Sequence, residues 1–368
     1  MNLGLLDYFS EITDPRVDRT KLHKLEDILA IAICATICGA EGWYEMAFFG
    51  QCKQEWLGTF LELPNGIPSD DTFRRVISAL KPDEFEACFQ RWTQAISHQQ
   101  EDIIAIDGKT LRRSHDHPHG KTAIHLVSAW ASKNKMVFGQ IATDEKSNEI
   151  TAIPKLLEML VLEGSVVTID AMGCQKKIAE TIRNAQGDYI FSLKGNQGTL
   201  HDDVKLFLDD AIAHDRNDDS HNTTDGGHGR VEIRKVWYSE NVQWMTDRKD
   251  WPGLSSLIAV ESQRYLGDKV STERRYFISS LSGLGAKTMG RMIRSHWGVE
   301  NKLHWSLDVS FGEDGCRIRK GFGAENVSRL RRIALNLLKQ EETAKCGMKA
   351  KRNKAGWDEN YLQKILGI

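Results

Sequence analysis

The spacing of apolar residues divides the chain into three textures. Through about residue 98 the period is helical. Residues 23–38 are almost wholly apolar, and 41–63 carry Trp43, Met46, Phe49 and Trp56 at helical intervals. Residues 64–80 (PNGIPSDDTFRRVISAL) predict a turn, a Ser69 or Asp70 N-cap and a short helix bearing Arg74 and Arg75, with a second helix over 82–97. Two short helices about a turn also describe a DNA-reading unit, although a helical packing domain is the plainer reading.

At Asp102 the period shortens. IIAID (103–107), AIHLVSAWAS (123–132) and MVFGQIAT (136–143) are β-branched runs, the last two joined by Asn134-Lys135 as a hairpin turn. An amphipathic helix (149–164), a strand VVTID (166–170), a helix (174–187) and a strand DYIFSLKG (188–195) come next. That order predicts an α/β sheet of five strands, antiparallel at first and then parallel. From 198 to about 285 the alternation stops. An acidic loop and three strand-like runs (231–239, 254–266, 272–281) predict a mostly antiparallel insertion. Helix resumes at Lys287, and an amphipathic helix spans 324–339 with Arg331, Arg332 and Asn336 opposite its apolar side. The organisation expected is a helical domain over 1–98 and an α/β domain over 99–368.

Composition excludes several classes. With 368 residues, 40% hydrophobic and 27% charged, the chain is an ordinary globular protein rather than a disordered or collagen-like one. The longest apolar stretch, 28–39, is too short for a membrane span. The opening MNLGLLDYFSEITDPRVDR has early acids and no small-residue cleavage site, and the seven cysteines show no zinc-type spacing. A cytoplasmic protein with reduced thiols is expected. No GxGxxG or Walker loop is present, so no nucleotide cofactor is expected. The net charge of −2 is uninformative, but residues 315–354 hold twelve Lys or Arg against three Glu. That basic block suits an anionic partner, nucleic acid first, or simply a solvated helix and tail.

Two strands end alike, in Asp107 and Asp170. A carboxylate after a buried strand lies where open α/β sheets place their ligands, and two on neighbouring strands repel unless a proton or cation sits between them. Magnesium or manganese suits such oxygen ligands; two turn aspartates are the plain alternative. A third acid, Glu300, comes after Ile293 and Trp297 and before His304 at steps of four, three and four, a stripe that points it inward. An inward carboxylate needs a metal or an arginine partner. Glu313 and Asp314, in a glycine-bounded loop, are rival acids expected to be exposed. His115, His117 and His119 have metal-ligand spacing but sit in a Pro/Gly loop. Cys174 lies near a helix start with no evident partner histidine, so an inert thiol is expected.

The motifs IIAIDGKTLRRS (103–114), VVTIDAMGCQ (166–175), YIFSLKGNQGTLH (189–201), HGRVEIR (228–234) and HWGVENKLHWSLDVSFGEDGCRIR (296–319) occur in order along the chain. Together they resemble the DDE transposases of the ISAs1 insertion-sequence group and the H-repeat-associated proteins, over nearly the whole length. The resemblance implies an RNase H-like core with a β-rich insertion, a helical transposase-associated domain ahead of it, and Asp107, Asp170 and Glu300 as the catalytic acids. One departure stands out. The broader IS4-like pattern Y-x2-R-x3-E-x6-K meets Ile293, His296 and Leu307 here, so hairpin-forming chemistry does not carry over with the acids.

By this resemblance two Mg2+ or Mn2+ ions held by the three acids would bracket a scissile phosphate of double-stranded DNA, with in-line cleavage and joining of the 3′-OH to target DNA. Lys109, Arg112, Arg113, Lys194, Arg230, Arg329, Arg331 and Arg332 are the candidate phosphate contacts. Asn301 and His304 would support the metal side, and a homodimer is expected on DNA. A DNA-binding descendant without cleavage and a stand-alone nuclease are the competing classes.

Overall fold

The structure is a computed structural model that describes residues 4–98, 101–115, 122–143, 149–227 and 229–368. The N-terminal texture forms α1 (Leu5–Phe9), α2 (Leu25–Cys38), α3 (Trp43–Cys52), α4 (Gln54–Leu57), α5 (Asp70–Ala79) and α6 (Pro82–Ile96). Helix α2 is buried along almost its full length, as its apolar sequence requires, and ends at Gly39 in a left-handed cap (φ +118°). Ser69 caps α5 by accepting from the Thr72 N–H (3.3 Å). Both basic residues of α5, Arg74 and Arg75, are ion-paired to Asp71 one turn back on the same helix.

The sheet begins with β1 (Ile103–Thr110), β2 (His125–Ala131) and β3 (Met136–Ala142), then α7 (Glu149–Glu158), β4 (Val166–Ile169), α8 (Lys176–Asn184) and β5 (Asp188–Leu193). Strands β1, β2 and β3 pair antiparallel, whereas β1, β4 and β5 pair parallel. After α9 (Thr199–Ala213) come β6 (Asp219–Gly227), β7 (Arg230–Ser239), β8 (Ser256–Leu266) and β9 (Lys269–Ser279). These do not form a separate sheet. Strand β9 pairs antiparallel with β5, giving one nine-stranded sheet in the order β3-β2-β1-β4-β5-β9-β8-β7-β6. The expected acidic loop is thus corrected: its first part is α9 and its last is a strand. The sequence DSHNTTDGG of β6 hides that strand because no residue of it is buried on either face.

Alternation along the strands assigns the two faces. Ile104, Ile106, Val127, Val167 and Ile169 pack with α7, α8 and α9. Ala105, Trp130 and Val137 face the other way, into a core shared by the N-terminal helices and the C-terminal ones. Further along that second face lies α10 (Gly285–His296), over Val166, Ile190, Ile258 and Phe277. The chain then passes through a π-helical segment, Val299–His304, into α11 (Trp305–Phe311), α12 (Gly323–Gln340), α13 (Met348–Trp357) and α14 (Glu359–Leu366).

The basic block is not a solvated tail. Asn336 of α12 accepts from the Val137 N–H and donates to the Val137 carbonyl (2.8 Å each), closing part of the free edge of β3. Arg352 of α13 donates to the Thr36 carbonyl (2.9 Å) and lies over the Phe311 ring, capping the carbonyl end of α2 with a cation.

Candidate functional site

The parallel register sets the site. Ile103 to Ile106 pair in order with Val166 to Ile169, so the next residues, Asp107 and Asp170, lie side by side at one edge of the sheet. By alternation both belong to the face covered by α10 and the π-helical segment. Asp107 does not open a turn, because β1 continues to Thr110. Asp170 does: its Oδ1 accepts from the N–H groups of Met172 (3.0 Å) and Gly173 (3.3 Å). His304 brings its Nδ1 to 3.5 Å from Asp107 Oδ2, and His296 hydrogen-bonds Thr168 two residues before Asp170 (3.0 Å).

The electrostatics there are unbalanced. Burial raises the Asp107 carboxyl first, the Gly108 N–H opposes it, and the charges of Glu149, Glu300 and Asp170 add to the rise, to about 7. The neighbouring imidazole supplies no positive charge against them, because burial, then Arg332 and Lys109, hold His304 neutral, near 3. Burial likewise lowers His296, against the pull of Asp170. The His304 Nε2 is buried without a hydrogen-bond partner. Among the described residues no three His, Cys, Asp or Glu side chains are gathered closely enough to hold a metal ion.

Glu300 differs from expectation. Ile293 is buried, but Trp297 is 38% exposed and Glu300 is exposed. The cause is local: Val299–His304 winds as a π-helix, so the regular helical stripe is lost and Val299 and Leu303 point inward instead. The burial argument for Glu300 fails. What ties it to the site is its charge, which acts on Asp107.

Several candidate phosphate contacts are also corrected. Arg329, Arg331 and Arg332 are 1%, 2% and 0% exposed, since α12 is enclosed by the N-terminal helices and the sheet. Arg329 pairs with Glu86 (2.7 Å) and Arg332 with Glu313 (3.0 Å). Glu313 is therefore a buried structural acid, not an exposed rival. Lys109 is enclosed by Asp308, Glu313 (3.4 Å) and Asp314 (3.5 Å), which leaves it no free face for a phosphate. Lys194, Arg112, Arg113 and Arg230 are exposed, with Arg112 near Asp314 (3.4 Å). Asn301 is exposed and donates to the Trp297 carbonyl (3.0 Å). Cys174 is buried, and burial followed by the Asp170 charge raises its thiol, so it is inert. His117 and His119 lie outside the described residues.

Two further residues carry little sign in the sequence. Glu149, at the start of α7, shares a hydrogen bond with His125 Nε2 (2.7 Å), and His125 Nδ1 shares one with the Thr110 hydroxyl (2.9 Å). Both side chains sit where a Cβ on residue 108 would be, so glycine there serves close approach. The only signal is the position of His125 directly across from Thr110.

The strand-end acids on a mixed sheet define a nuclease-like class of site, and comparison with known proteins agrees. The transposase DDE domain family matches residues 98–337, and the DDE_Tnp_1-associated family matches 6–93. The chain belongs to the transposase DDE domain family. It is 43% identical to the H repeat-associated putative transposase YhhI of Escherichia coli K12, covering 98% of this chain and 97% of that one. It is equally similar to the putative transposase YncI of Escherichia coli O157:H7, at 43% over 99% and 94% of the two chains. Among solved structures, a piggyBac transposase synaptic complex with hairpin DNA aligns over 98% of this chain and 76% of that one, at 11% identity and a TM-score of 0.40. No helix among the described residues is long and apolar enough to cross a membrane.

Proposed function

We propose that the protein is a DDE transposase that cuts DNA at insertion-sequence ends and joins the freed 3′-OH to target DNA, with Asp107, Asp170 and Glu300 as its catalytic acids. The observation that carries this is the register that ends two parallel strands in adjacent aspartates, with Glu300 close enough to raise the first of them. In this reading the core β3-β2-β1-β4-β5 is RNase H-like and β6 to β9 are its insertion.

The residues fit a divalent cation. All the acids offer hard oxygen ligands, and a carboxyl held at about 7 by its neighbours is a group whose charged form lacks a counter-charge. Asp107, Asp170 and Glu300 would hold Mg2+ or Mn2+, two ions for a phosphodiester displacement. Bound ions would supply charge stabilisation to the phosphate and to the attacking and leaving oxygens. The chain's own part is placement. Asp170 is fixed by two backbone N–H groups, Asp107 is flanked by a neutral imidazole at His304, and Glu300 approaches from the π-helical turn. The expected partners are double-stranded DNA and a second copy of the chain on that DNA; the expected place is the cytoplasm.

The test is a supercoiled plasmid carrying the candidate terminal repeats, incubated with magnesium or with EDTA. Cleaved and joined products with magnesium alone are expected. Glu300→Gln should remove both while DNA binding is retained. Full cleavage by that variant overturns its assignment. Nicked DNA without joined product assigns a nuclease, and binding without cleavage assigns a DNA-binding descendant.

A further inference from the structure

The extended half of the sheet does more than lengthen it. Strand β5 ends at Leu193, opposite Tyr276, but β9 continues back to Lys269 and β8 forward to Leu266. Seven residues of each thus project past the edge at which Asp107 and Asp170 lie, a ribbon of roughly 20 Å. Alternation places Arg230, Arg264 and Arg275 on the α10 side of it, in line with buried Val236, Val260 and Phe277.

Between this face and α10 runs a groove of about 1540 Å³ that reaches Glu300. Five acids line it, but three are committed. Glu232 pairs with Arg234 (2.6 Å), Glu273 with Arg275 (2.7 Å), and Asp102 accepts from the Lys133 and Asn134 N–H groups. That leaves Glu101 and Glu300. Against them, Lys133, Arg230, Arg264, Lys287, Arg291 and Lys302 line the groove and, among the described residues, none of the six is in an ion pair. Lys287 and Arg291 stand at i and i+4 on one helix, where like charges repel. Such a run of unmatched cations is stabilised by a polyanion. The groove offers no stack of bare aromatic rings: Trp297, its one markedly exposed ring among the described residues, carries the Arg275 guanidinium at 5.0 Å. A backbone-following site, not a base-stacking one, results.

We infer that this groove, between α10 and the projecting β7–β8–β9 ribbon, is where double-stranded DNA lies as it reaches the acids, and that the C-terminal arginine helix takes no part. The inference rests on the transposase reading of the acid site. It assigns the insertion as the DNA-holding wall.

The test uses the full chain and a fluorescent duplex of about 40 base pairs of arbitrary sequence, with affinity measured from about 50 to 200 mM salt. The triple variant Arg230→Gln, Arg264→Gln, Arg291→Gln should bind at least about tenfold more weakly at 0.1 M salt and lose about two to three units of salt slope. The same three positions changed to Lys should keep the slope. An unchanged slope in the Gln triple overturns the inference, as does an equal loss in the Lys triple or tighter binding of the single strand than of the duplex. Manganese titration by calorimetry on the same proteins separates the two readings. A parent that binds no manganese defeats the acid site and leaves the salt slope to judge the groove.

Discussion

Asp107 and Glu313 are both carboxyl groups drawn out of water, and both act on His304, yet they settle in opposite states. Burial opposes ionisation of each. At Glu313 the opposition is outweighed by Arg332, Lys109 and Arg331 and by the Ser328 hydroxyl at 2.7 Å, so the carboxyl stays charged down to about 2. At Asp107 the company is Glu149, Glu300 and Asp170, and the carboxyl rises to about 7. Depth of burial does not separate structure from function here, since Glu313 is the deeper of the two. Sign of company does. A matched carboxylate ties α12 to the sheet, while an unmatched group leaves a place for a cation brought from outside.

The comparison breaks most sharply under substitution. Asp107→Asn should lower magnesium-dependent plasmid cleavage on the order of 10³-fold while its thermal midpoint stays at or above the parent's, because it removes a ligand and relieves repulsion. Cleavage within tenfold of the parent would remove Asp107 from the chemistry. Glu313→Gln should do the reverse in stability. It strands Arg332 in a site where neither side chain is exposed, and urea unfolding should show a loss of about 3–5 kcal/mol. A loss below about 1 kcal/mol would mean that the pair is not a tie.

Acidification sharpens the same contrast. The folded value of Glu313 lies below its ordinary 4.5, so its contribution is present above about 4.5 and lost as pH falls through about 2. The stability gap between the parent and Glu313→Gln should narrow across that window. A gap constant from pH 5 to about 2 would show that Glu313 is not the charged partner of Arg332.

The strand ends are legible because IIAID and VVTID are compact β-branched runs, and alternation alone then makes neighbours of their aspartates. Other parts are hidden for identifiable reasons. Strand β6 has no apolar face to display a period of two. The stripe through Glu300 assumes a regular helix, and the π-turn at Val299–His304 changes the direction in which its side chains point. The α12 arginines look like a DNA face when charge is counted without partners. The acid that holds Arg329, Glu86, lies 243 residues earlier on α6, and no local pattern announces such a pair. Glu149 disappears into an amphipathic helix, where an acid at the start is ordinary.

Glu149 supplies the smallest and most discriminating test. Its charge is the first of the three acidic contributions that raise Asp107, after burial itself. Glu149→Gln removes that charge but leaves an amide oxygen able to accept from His125 Nε2, so the link to Thr110 is kept. The Asp107 carboxyl, observed by carbon NMR across pH, should titrate below the parent's value of about 7 yet above the ordinary 3.8, because burial persists. Linkage gives the sign for stability. A carboxyl raised in the folded state contributes fully below 3.8 and loses that contribution as pH rises through about 7. Lowering the folded value reduces what is lost, so the metal-free variant should be at least as stable as the parent at pH 8. An unchanged Asp107 titration would place Glu149 outside the acid cluster and leave Glu300 and Asp170 as the charges that set it against Glu313.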